Sequence, residues 1–296
     1  MRIFVTGGTG FIGRYTVDRL RKSGHDVFLL TRSPKRDTYI QCIKGDLAGI
    51  KVWSEKVRKF KPDKAVHLAW ESLPDYSYEA SKRNLLFGLD FYEFLTRIGC
   101  KGVITSGSCW EYGVQNTKLS EDMPILPMNA FTAAKNALNQ LGGDLARESQ
   151  MQYIWVRVFF AYGVGQRALS LLPRLIAYAK GGEVPMIKDS ETELDFIYVE
   201  DVADAIVKLI QSDDASGTYN IGSGKLTKVR EVVEIVGKLT KKESEFQKLL
   251  PAKDKSVASY HSGYYADISK IKKEVGWKPQ ISIDRGVAKM IQNFTL

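Results

Sequence analysis

The chain has 296 residues, of which 44% are hydrophobic and 26% are charged, a composition typical of a globular protein with room for one large domain or for a large and a small one. No apolar run is long enough to cross a membrane, and the first predicted strand begins at residue 2, so we expect neither a transmembrane helix nor a signal peptide. Three cysteines and three histidines lack metal-ligand spacing, which argues against a metal site and favours the reducing cytoplasm. The formal net charge of +9 is dispersed without a nucleic-acid-binding motif, so we expect no nucleic acid partner.

The first predicted element is a strand that runs into a glycine-rich turn. Residues 6–13 read Thr-Gly-Gly-Thr-Gly-Phe-Ile-Gly behind the apolar residues 3–5, and an amphipathic stretch follows. Such a turn binds phosphate with backbone N–H groups at the positive end of a helix dipole. We expect Gly7 to adopt backbone angles closed to other residues, Gly10 to let a pyrophosphate approach, and Gly13 to pack the helix on the sheet. This context predicts a dinucleotide-binding site.

Strand and helix signals continue to alternate through the first half of the chain. The strand candidates are the short apolar runs Ile3 to Thr6, Val27 to Thr31, Ala65 to Ala69, Val103 to Ser106 and Tyr153 to Val158. The clearest helical patterns lie at about 77–98 and 131–148. This alternation predicts an α/β fold with a Rossmann-type, doubly wound parallel sheet and helices on both faces.

The pattern loosens in the second half, which we interpret as a smaller α/β domain. A helix near 168–180 is followed by an extended piece at 195–199 and by helices from about 200 and 228. We expect a dinucleotide-binding domain over 1–165 and a mainly substrate-binding domain over 166–296. Segments near 193–222 are expected to return to the first domain.

Further motifs follow the glycine loop in an informative order and spacing. They are Gly45-Asp46-Leu47, His67-Leu68-Ala69, Asn84 with Gly88, Ser106 to Gly113, Lys135, Tyr162-Gly163, Asp195 to Val199 with Asp201-Val202-Ala203, Tyr219 to Gly222, and Gly276-Trp277-Lys278-Pro279. Over nearly the whole chain they resemble the extended short-chain dehydrogenase/reductase family, in the branch that acts on nucleotide sugars. The resemblance implies a nucleotide-diphospho sugar as substrate and a homodimer formed through a four-helix bundle, for which the helices at 77–98 and 131–148 are the candidates.

The resemblance also implies a set of cofactor-binding residues. They are Gly7, Gly10, Phe11, Ile12, Gly13, Arg32, Asp46, Leu47, Leu68, Ala69, Trp70, Lys135 and Phe159. The second strand ends in Thr31-Arg32, where NAD-specific enzymes usually carry an acidic residue for the ribose hydroxyls. Arg32, with Arg36 nearby, instead offers a permanent planar cation for a 2′-phosphate. We therefore expect NADP(H) rather than NAD(H).

Three positions match the family's catalytic residues. In the family a tyrosine hydroxyl transfers the proton, a lysine four residues later lowers the pKa of that tyrosine and holds the nicotinamide ribose, and a Ser or Thr orients the carbonyl oxygen. Ser108 and Lys135 match the last two, and positions 131 and 135 share one helix face. The tyrosine position is Phe131, which has no proton to exchange. Since general acid–base catalysis is typically worth about 10²- to 10⁴-fold in rate, we expect this chain to be impaired.

Two explanations of Phe131 are open. A change of tyrosine to phenylalanine removes one oxygen and preserves packing, and the leading interpretation is an inactivated form of an enzyme whose natural residue is tyrosine. The rival is a natural protein that lost this chemistry or uses another acid. The candidates for that acid are Glu111, Tyr112 and Tyr162.

The residues after Ser108 indicate which reaction of the family the chain catalyses. Family 4,6-dehydratases carry Asp-Glu there, whereas this chain has Cys109-Trp110, which argues against dehydratase chemistry. The segments 67–70 and 107–113 are similar to those of reductases of nucleotide-linked 4-keto-6-deoxyhexoses. With the Thr31-Arg32 ending, they predict an NADPH-dependent C4 ketoreductase. The alternatives are an NAD-dependent sugar-nucleotide epimerase and a non-catalytic NADP(H)-binding protein.

The substrate-binding residues that we expect are Ser108, Glu111 and Arg174. Many epimerases of the family hold the substrate diphosphate with an Asn and an Arg, at positions that are Phe160 and Leu194 here. We therefore assign the compensating positive charge to Arg174, Arg167 or Lys188.

Overall fold

A parallel β-sheet forms the centre of the molecule. The computed structural model describes residues 1–34, 40–251 and 262–294. Within those residues the strands are β1 (Arg2–Thr6), β2 (Asp26–Thr31), β3 (Gln41–Lys44), β4 (Lys64–His67), β5 (Gly102–Ser108), β6 (Lys118–Leu119), β7 (Gln152–Val158), β8 (Phe160–Tyr162), β9 (Glu193–Leu194), β10 (Phe196–Tyr198), β11 (Gly217–Ile221), β12 (Thr227–Lys228) and β13 (Tyr265–Ala266). The α-helices are α1 (Phe11–Lys22), α2 (Ile50–Phe60), α3 (Tyr78–Arg97), α4 (Ala130–Glu148), α5 (Leu171–Ala179), α6 (Val199–Gln211), α7 (Val229–Thr240), α8 (Glu243–Gln247), α9 (Ser269–Val275) and α10 (Ile283–Gln292).

The strand order of the central sheet places a crevice at its middle. The order is β11-β7-β5-β4-β1-β2-β3, and each neighbouring pair is parallel. The chain builds outward from β1 to β3 on one side and from β4 to β11 on the other. In such sheets the ligand crevice lies beyond the carboxyl ends of the strands, at the reversal between β1 and β4. The predicted Rossmann-type α/β fold is confirmed.

Alternation along the strands divides the interior into two hydrophobic cores. Ile3 and Val5 of β1 pack in the core that α1 and α6 cover, whereas Phe4 between them packs in the core that α2, α3 and α4 cover. Ile154 and Trp155 of β7 divide in the same way. A strand buried on both faces must be apolar along its whole length. That requirement explains why these strands are visible in the sequence as continuous apolar runs.

The second half of the chain contributes to both the sheet and a core of its own. Helices α5, α7 and α10 surround a third cluster that includes Leu175, Val232 and Met290. Strand β11 nevertheless pairs with β7 in the central sheet, and α6 packs on α1. Residues 199–221 therefore supply a helix and an outer strand to the first half of the chain.

Two strands of the central sheet, β3 and β11, are not among the five strand candidates of the sequence. Strand β3 is four residues long, and Ile43 is its buried residue. It lies at the end of the sheet order, so it needs little apolar surface and does not form an apolar run. By contrast, the helices predicted at 77–98 and 131–148 correspond to α3 and α4. No helix among the described residues has the length and apolar character of a membrane span.

Candidate active site

Two adjoining cavities lie at the carboxyl edge of the sheet. The smaller, of about 190 Å³, follows the ends of β1 and β2. The larger, of about 530 Å³, lies beside the ends of β5 and β7 and the first turns of α4. Gly7, Gly10, Leu68 and Trp70 line both cavities. The two therefore form one continuous groove across the place between β1 and β4 where the strand order reverses.

The glycine loop forms the part of the groove that both cavities share. Gly7 has φ of +72°, and a Cβ there would lie 2.5 Å from the backbone nitrogen of Ala69. A Cβ on Gly13 would overlap the carbonyl oxygen of Gly7. Helix α1 begins after Gly10 with no side-chain cap among the described residues. Its first N–H groups are thus available to a phosphate, and the open cradle fits the pyrophosphate of a dinucleotide.

The residues at the end of β2 give the smaller cavity its charge. Thr31 is buried, whereas Arg32 is exposed and lines the cavity. Asp46 lines the same cavity and also caps the turn that follows it, because its carboxylate accepts the N–H of Gly49 at 3.0 Å. The strand end itself therefore carries a guanidinium where NAD-specific enzymes carry a carboxylate. Arg36 lies outside the described residues.

The groove brings together all the cofactor-binding residues that the sequence predicts. Those along the smaller cavity are Gly7, Gly10, Arg32, Asp46, Leu47, Leu68, Ala69 and Trp70. Those along the larger cavity are Gly7, Gly10, Phe11, Ile12, Gly13, Leu68, Trp70, Lys135 and Phe159. An elongated ligand that follows these residues would pass over the N-terminus of α1.

Helix α4 places Phe131 and Lys135 in the lining of the larger cavity. A capping box at its start fixes the first turn. Lys135 is only 4% exposed, and its Nζ donates a hydrogen bond to the carbonyl oxygen of Ser106 at 2.6 Å. Burial lowers the pKa of Lys135 to about 8, while the negative charge of Glu111 opposes that shift. The site thus holds a cation that can lose its proton near neutral pH.

Phe131 lies in a cluster of four aromatic rings. Its ring centroid is 5.4 Å from that of Trp70, 5.1 Å from that of Tyr76 and 6.2 Å from that of Trp110. Each pair is edge-to-face, a favourable geometry for aromatic rings. The Nζ of Lys135 lies 4.1 Å from the centroid of the Trp70 ring, which provides a cation–π contact. The position that carries the proton-transferring hydroxyl in the family is therefore an apolar contact in this chain.

Glu111 stabilises the turn on which Ser108 lies. The sequence analysis places Glu111 in contact with the substrate, and the structure corrects this prediction. Glu111 is fully buried, and its carboxylate accepts hydrogen bonds from Nε of Arg157 and Nε1 of Trp155, both at 3.0 Å. It also accepts the backbone N–H of Ser108 at 2.7 Å. The Ser108 hydroxyl, which lines the larger cavity, accepts the N–H of Trp110 at 3.2 Å. Because its oxygens are committed inside the protein, Glu111 positions Ser108 rather than binding in the groove.

The tyrosine candidates for a replacement acid are also directed away from the cavity. The hydroxyl of Tyr112 donates to Oδ1 of Asn220 at 2.8 Å and accepts from Arg157 at 2.9 Å. Burial raises the pKa of Tyr112 to about 12. The hydroxyl of Tyr162 is directed toward the carbonyl oxygen of Ser282 at 3.4 Å. In this arrangement neither hydroxyl can replace the one that Phe131 lacks.

The cations assigned to the substrate diphosphate lie in two separate places. Arg167 lines the larger cavity next to Gln166. Arg174 and Lys188 line another cavity, of about 640 Å³, between α5 and the loop that follows it. The structure thus brings Arg167 together with Ser108, whereas it places Arg174 in a different cavity.

The groove also contains residues that the sequence does not predict. Thr6 lines the smaller cavity, and its hydroxyl lies 2.7 Å from Nδ1 of His67. Burial, with a smaller effect from the charge of Lys135, lowers the pKa of His67 to about 3, so this ring is neutral. Gln166 has a buried Oε1 without a hydrogen-bond partner among the described residues, which leaves an acceptor for a ligand. A single glutamine after a glycine turn has no pattern by which the sequence could mark it.

Known proteins are similar to this chain over nearly its whole length. A UDP-glucose 4-epimerase from Cyamopsis tetragonoloba is 27% identical over 95% of this chain and 91% of that protein. A dTDP-4-dehydro-6-deoxyglucose reductase from Escherichia coli is 25% identical over 98% of this chain and 96% of that protein. The solved structure of MoeE5 in complex with UDP-glucose and NAD has a TM-score of 0.85 at 26% identity, covering 99% of this chain and 98% of that one. Residues 3–222 match the NAD dependent epimerase/dehydratase family, and the chain, with its glycine cradle, Ser108 and Lys135 in one groove, belongs to that family of extended short-chain dehydrogenase/reductases.

Proposed function

We propose that the protein is an NADPH-dependent C4 ketoreductase of a nucleotide-diphospho-4-keto-6-deoxyhexose. The observation that carries this proposal is the exposed guanidinium of Arg32, which lies in the groove beside buried Thr31. A planar cation suits a 2′-phosphate, whereas the ribose hydroxyls of NAD are usually held by an acidic residue at this strand end. Cys109 and Trp110 stand where dehydratases carry Asp-Glu, and the similarity to the Escherichia coli reductase supports the same reaction.

Each part of the groove has a role in this proposal. A reduced nicotinamide, when bound, supplies the hydride for the carbonyl carbon. The N–H groups at the start of α1 would hold the cofactor's pyrophosphate, and Arg32 its 2′-phosphate. The hydroxyl of Ser108, on a turn fixed by Glu111, would orient the carbonyl oxygen of the sugar. Lys135 would hold the nicotinamide ribose.

A sugar-nucleotide 4-epimerase is the second candidate function. The epimerase from Cyamopsis tetragonoloba is 27% identical to this chain, and the similar MoeE5 structure contains UDP-glucose and NAD. An epimerase oxidises and reduces the same sugar carbon, so it uses the same serine and lysine without net consumption of cofactor. Phe131 keeps a third possibility open, a protein that binds NADP(H) without catalysis.

The deciding experiment compares the unaltered chain with Phe131→Tyr. NADPH oxidation is followed by absorbance with a panel of CDP- and dTDP-linked 4-keto-6-deoxy sugars. We expect the tyrosine to raise turnover by about 10²- to 10⁴-fold, since it restores a general acid. Phe294→Tyr adds a hydroxyl to a half-buried ring that lines neither cavity and is expected to leave turnover unchanged.

The other outcomes assign the protein to the alternatives. If neither form oxidises NADPH but Phe131→Tyr interconverts UDP-glucose and UDP-galactose with NAD, the epimerase is favoured. If both forms bind NADPH and neither catalyses any of these reactions, the protein is a binding protein.

We further propose a cytoplasmic homodimer. Helices α3 and α4 pack side by side and present Leu86 and Leu141, which are 51% and 50% exposed. Such exposed apolar residues on adjacent helices favour a helical interface with a second copy. The cysteines in the described residues are free thiols, in keeping with a reducing compartment.

A further inference from the structure

We propose that Lys135 donates the proton in this chain, in place of the phenol that Phe131 lacks. The inference rests on the proposed function, because reduction of a carbonyl carbon leaves an oxygen that must be protonated. It differs from the role that the resemblance implies, in which the lysine assists a tyrosine and holds the ribose. Lys135 and Ser108 line the same cavity, so a sugar bound there would lie beside both side chains.

The other groups along the cavity are poor proton donors at neutral pH. Within the described lining, the side chains with exchangeable protons are Trp70, Ser106, Ser108, Lys135, Gln166, Arg167 and Ser170. Indole, amide and hydroxyl groups donate hydrogen bonds but do not ionise near neutral pH. A guanidinium such as that of Arg167 has a pKa above about 12. Lys135 is therefore the side chain of this set whose proton is available in the working range.

The surroundings leave part of the ammonium available to a ligand. One N–H group of Lys135 donates to the carbonyl oxygen of Ser106 at 2.6 Å. The rings of Trp70 and Trp155 cover it at 4.1 Å and 5.8 Å from their centroids. An ammonium has three N–H donors, and the side chain belongs to the cavity lining. A sugar oxygen in that cavity can therefore accept a hydrogen bond from Nζ.

The charges around Lys135 keep its proton both present and transferable. The Glu111 carboxylate, on the turn after β5, raises the pKa of Lys135, but it is already paired with Arg157 of β7 at 3.0 Å. His67, at the end of β4, is neutral because its pKa is about 3. Burial is the larger influence and lowers the pKa of Lys135 to about 8. A proton donor is most effective when its pKa is near the working pH.

The proposed step balances as a simple proton transfer. The carbonyl carbon would gain a C–H bond by accepting a hydride, which is the chemistry that a bound reduced nicotinamide would supply. The C=O π electrons become a lone pair on the oxygen. An N–H bond of Lys135 breaks as the O–H bond forms, so the sugar gains a hydroxyl and the lysine becomes a neutral amine. Water in the open groove returns the proton to the amine.

The first test measures the titration of Lys135 without any cofactor. Lysine labelled with ¹³C at Cε is observed by NMR across pH 6 to 11, and Lys135→Arg assigns the signal. We expect a midpoint near 8, compared with about 10.4 for an unperturbed lysine. A midpoint close to the unperturbed value would overturn the proposal, because such an amine would not be matched to neutral pH.

The second test measures single-turnover NADPH oxidation with enzyme in excess over the 4-keto sugar. We expect the unaltered chain to react slowly, with a rate that falls as the pH rises through the pKa of Lys135, since only the protonated amine can donate. Lys135→Arg keeps a positive charge but loses the transferable proton. We expect it to lower this rate at least 100-fold while NADPH still binds, as measured by fluorescence.

Two comparisons separate proton donation from ribose binding. In the Phe131→Tyr background, a phenol can donate the proton. The fold loss in single-turnover rate caused by Lys135→Arg should therefore be at least tenfold smaller there than in the unaltered chain. An equal fold loss of the rate in both backgrounds would mean that Lys135 only binds the ribose, and it would refute the proposal. Tyr76→Phe removes a hydroxyl from the ring next to Phe131 and should leave the rate unchanged. A 100-fold loss on that change would assign the proton to Tyr76 instead.

Failure of this inference and failure of the proposed function give different results. If Phe131→Tyr reduces no 4-keto sugar, the proposed function is wrong. If Phe131→Tyr is active while the unaltered chain transfers no hydride even in a single turnover, the ketoreductase proposal stands and proton donation by Lys135 is excluded.

Discussion

Phe131 and Lys135 lie one turn apart on α4, and burial affects them in opposite ways. Phe131 gains stability from burial against Trp70 and Tyr76. The Lys135 ammonium loses its hydration on burial. A hydrogen bond to one carbonyl oxygen and the face of one indole ring restore part of the lost stabilisation of its charge. A nearly buried cation that forms no ion pair with any residue in the described part of the chain is costly. Its presence beside Ser108 in a cavity is therefore better explained by chemistry than by stability.

At the same scale, the position of Arg32 leads to a testable prediction about the preference for NADPH over NADH. Arg32→Ala should weaken NADPH binding at least tenfold, about 1.4 kcal/mol, and leave NADH binding unchanged, because only NADPH carries the 2′-phosphate. The dissociation constants are measured by fluorescence titration. Arg58→Ala, which removes an exposed guanidinium on α2, is the matched control and should change neither constant. Equal weakening of both cofactors would remove the case for a 2′-phosphate contact.

At the scale of elements, α4 lines the larger cavity through Phe131 and Lys135 on one face and presents the exposed Leu141 on another. Its contact with α3 is close because of small residues: a Cβ on Gly88 would lie 2.7 Å from Cδ1 of Leu138. The two helices thereby form a compact pair that covers one side of the sheet. Leu86 and Leu141 remain outside that contact, so the pair can present an apolar surface to a second copy of the chain.

The double variant Leu86→Glu, Leu141→Glu tests this surface. Four carboxylates in one symmetric interface would be desolvated without partners, so we expect the double variant to be a folded monomer, in contrast to the homodimer proposed for the unaltered chain. Sedimentation velocity measures the mass, and circular dichroism checks the fold. Val52→Glu on α2 replaces a residue that is 78% exposed and should leave the dimer intact. A double variant that stays dimeric would place the interface elsewhere.

At the scale of the whole molecule, the sheet depends on the second half of the chain. Strand β11 covers the edge of β7, and the apolar face of α6 belongs to the same core as α1. Trp277 is 2% exposed and donates from Nε1 to the carbonyl oxygen of Asp201 at 3.1 Å. The last part of the chain therefore holds α6 in place.

This dependence predicts the behaviour of a fragment of residues 1–165, the dinucleotide-binding domain that the sequence suggests. Without α6 and β11 it would expose the apolar face of α1 and the unpaired edge of β7. We expect it to aggregate or to unfold without a cooperative transition in urea, as followed by circular dichroism, whereas the full chain unfolds cooperatively. A monomeric fragment with a sharp transition would show that the first 165 residues are an independent domain.

Much of the fold and of the cofactor groove follows from the sequence alone. The glycine loop, the apolar strands and the helical periods of α3 and α4 are local patterns, and their physical requirements act within a few residues. The residue types at 108, 131 and 135 are likewise visible without coordinates, together with the missing hydroxyl. These features fix the fold class and the family, which is why both predictions were confirmed.

Only the tertiary structure decided which groups are available for chemistry. Glu111 follows the cavity-lining Ser108 by three positions, yet its carboxylate accepts a hydrogen bond from Arg157, which lies 46 positions later in the chain. The hydroxyl of Tyr112 likewise donates a hydrogen bond to the distant Asn220. Arg174 lines a different cavity from Ser108. The lowered pKa of Lys135 also arises from burial, and the rings of Trp70 and Trp155 near its ammonium come from segments distant in sequence. Periodicity determines which face of an element is buried, whereas the partners of a buried polar group depend on contacts between remote segments.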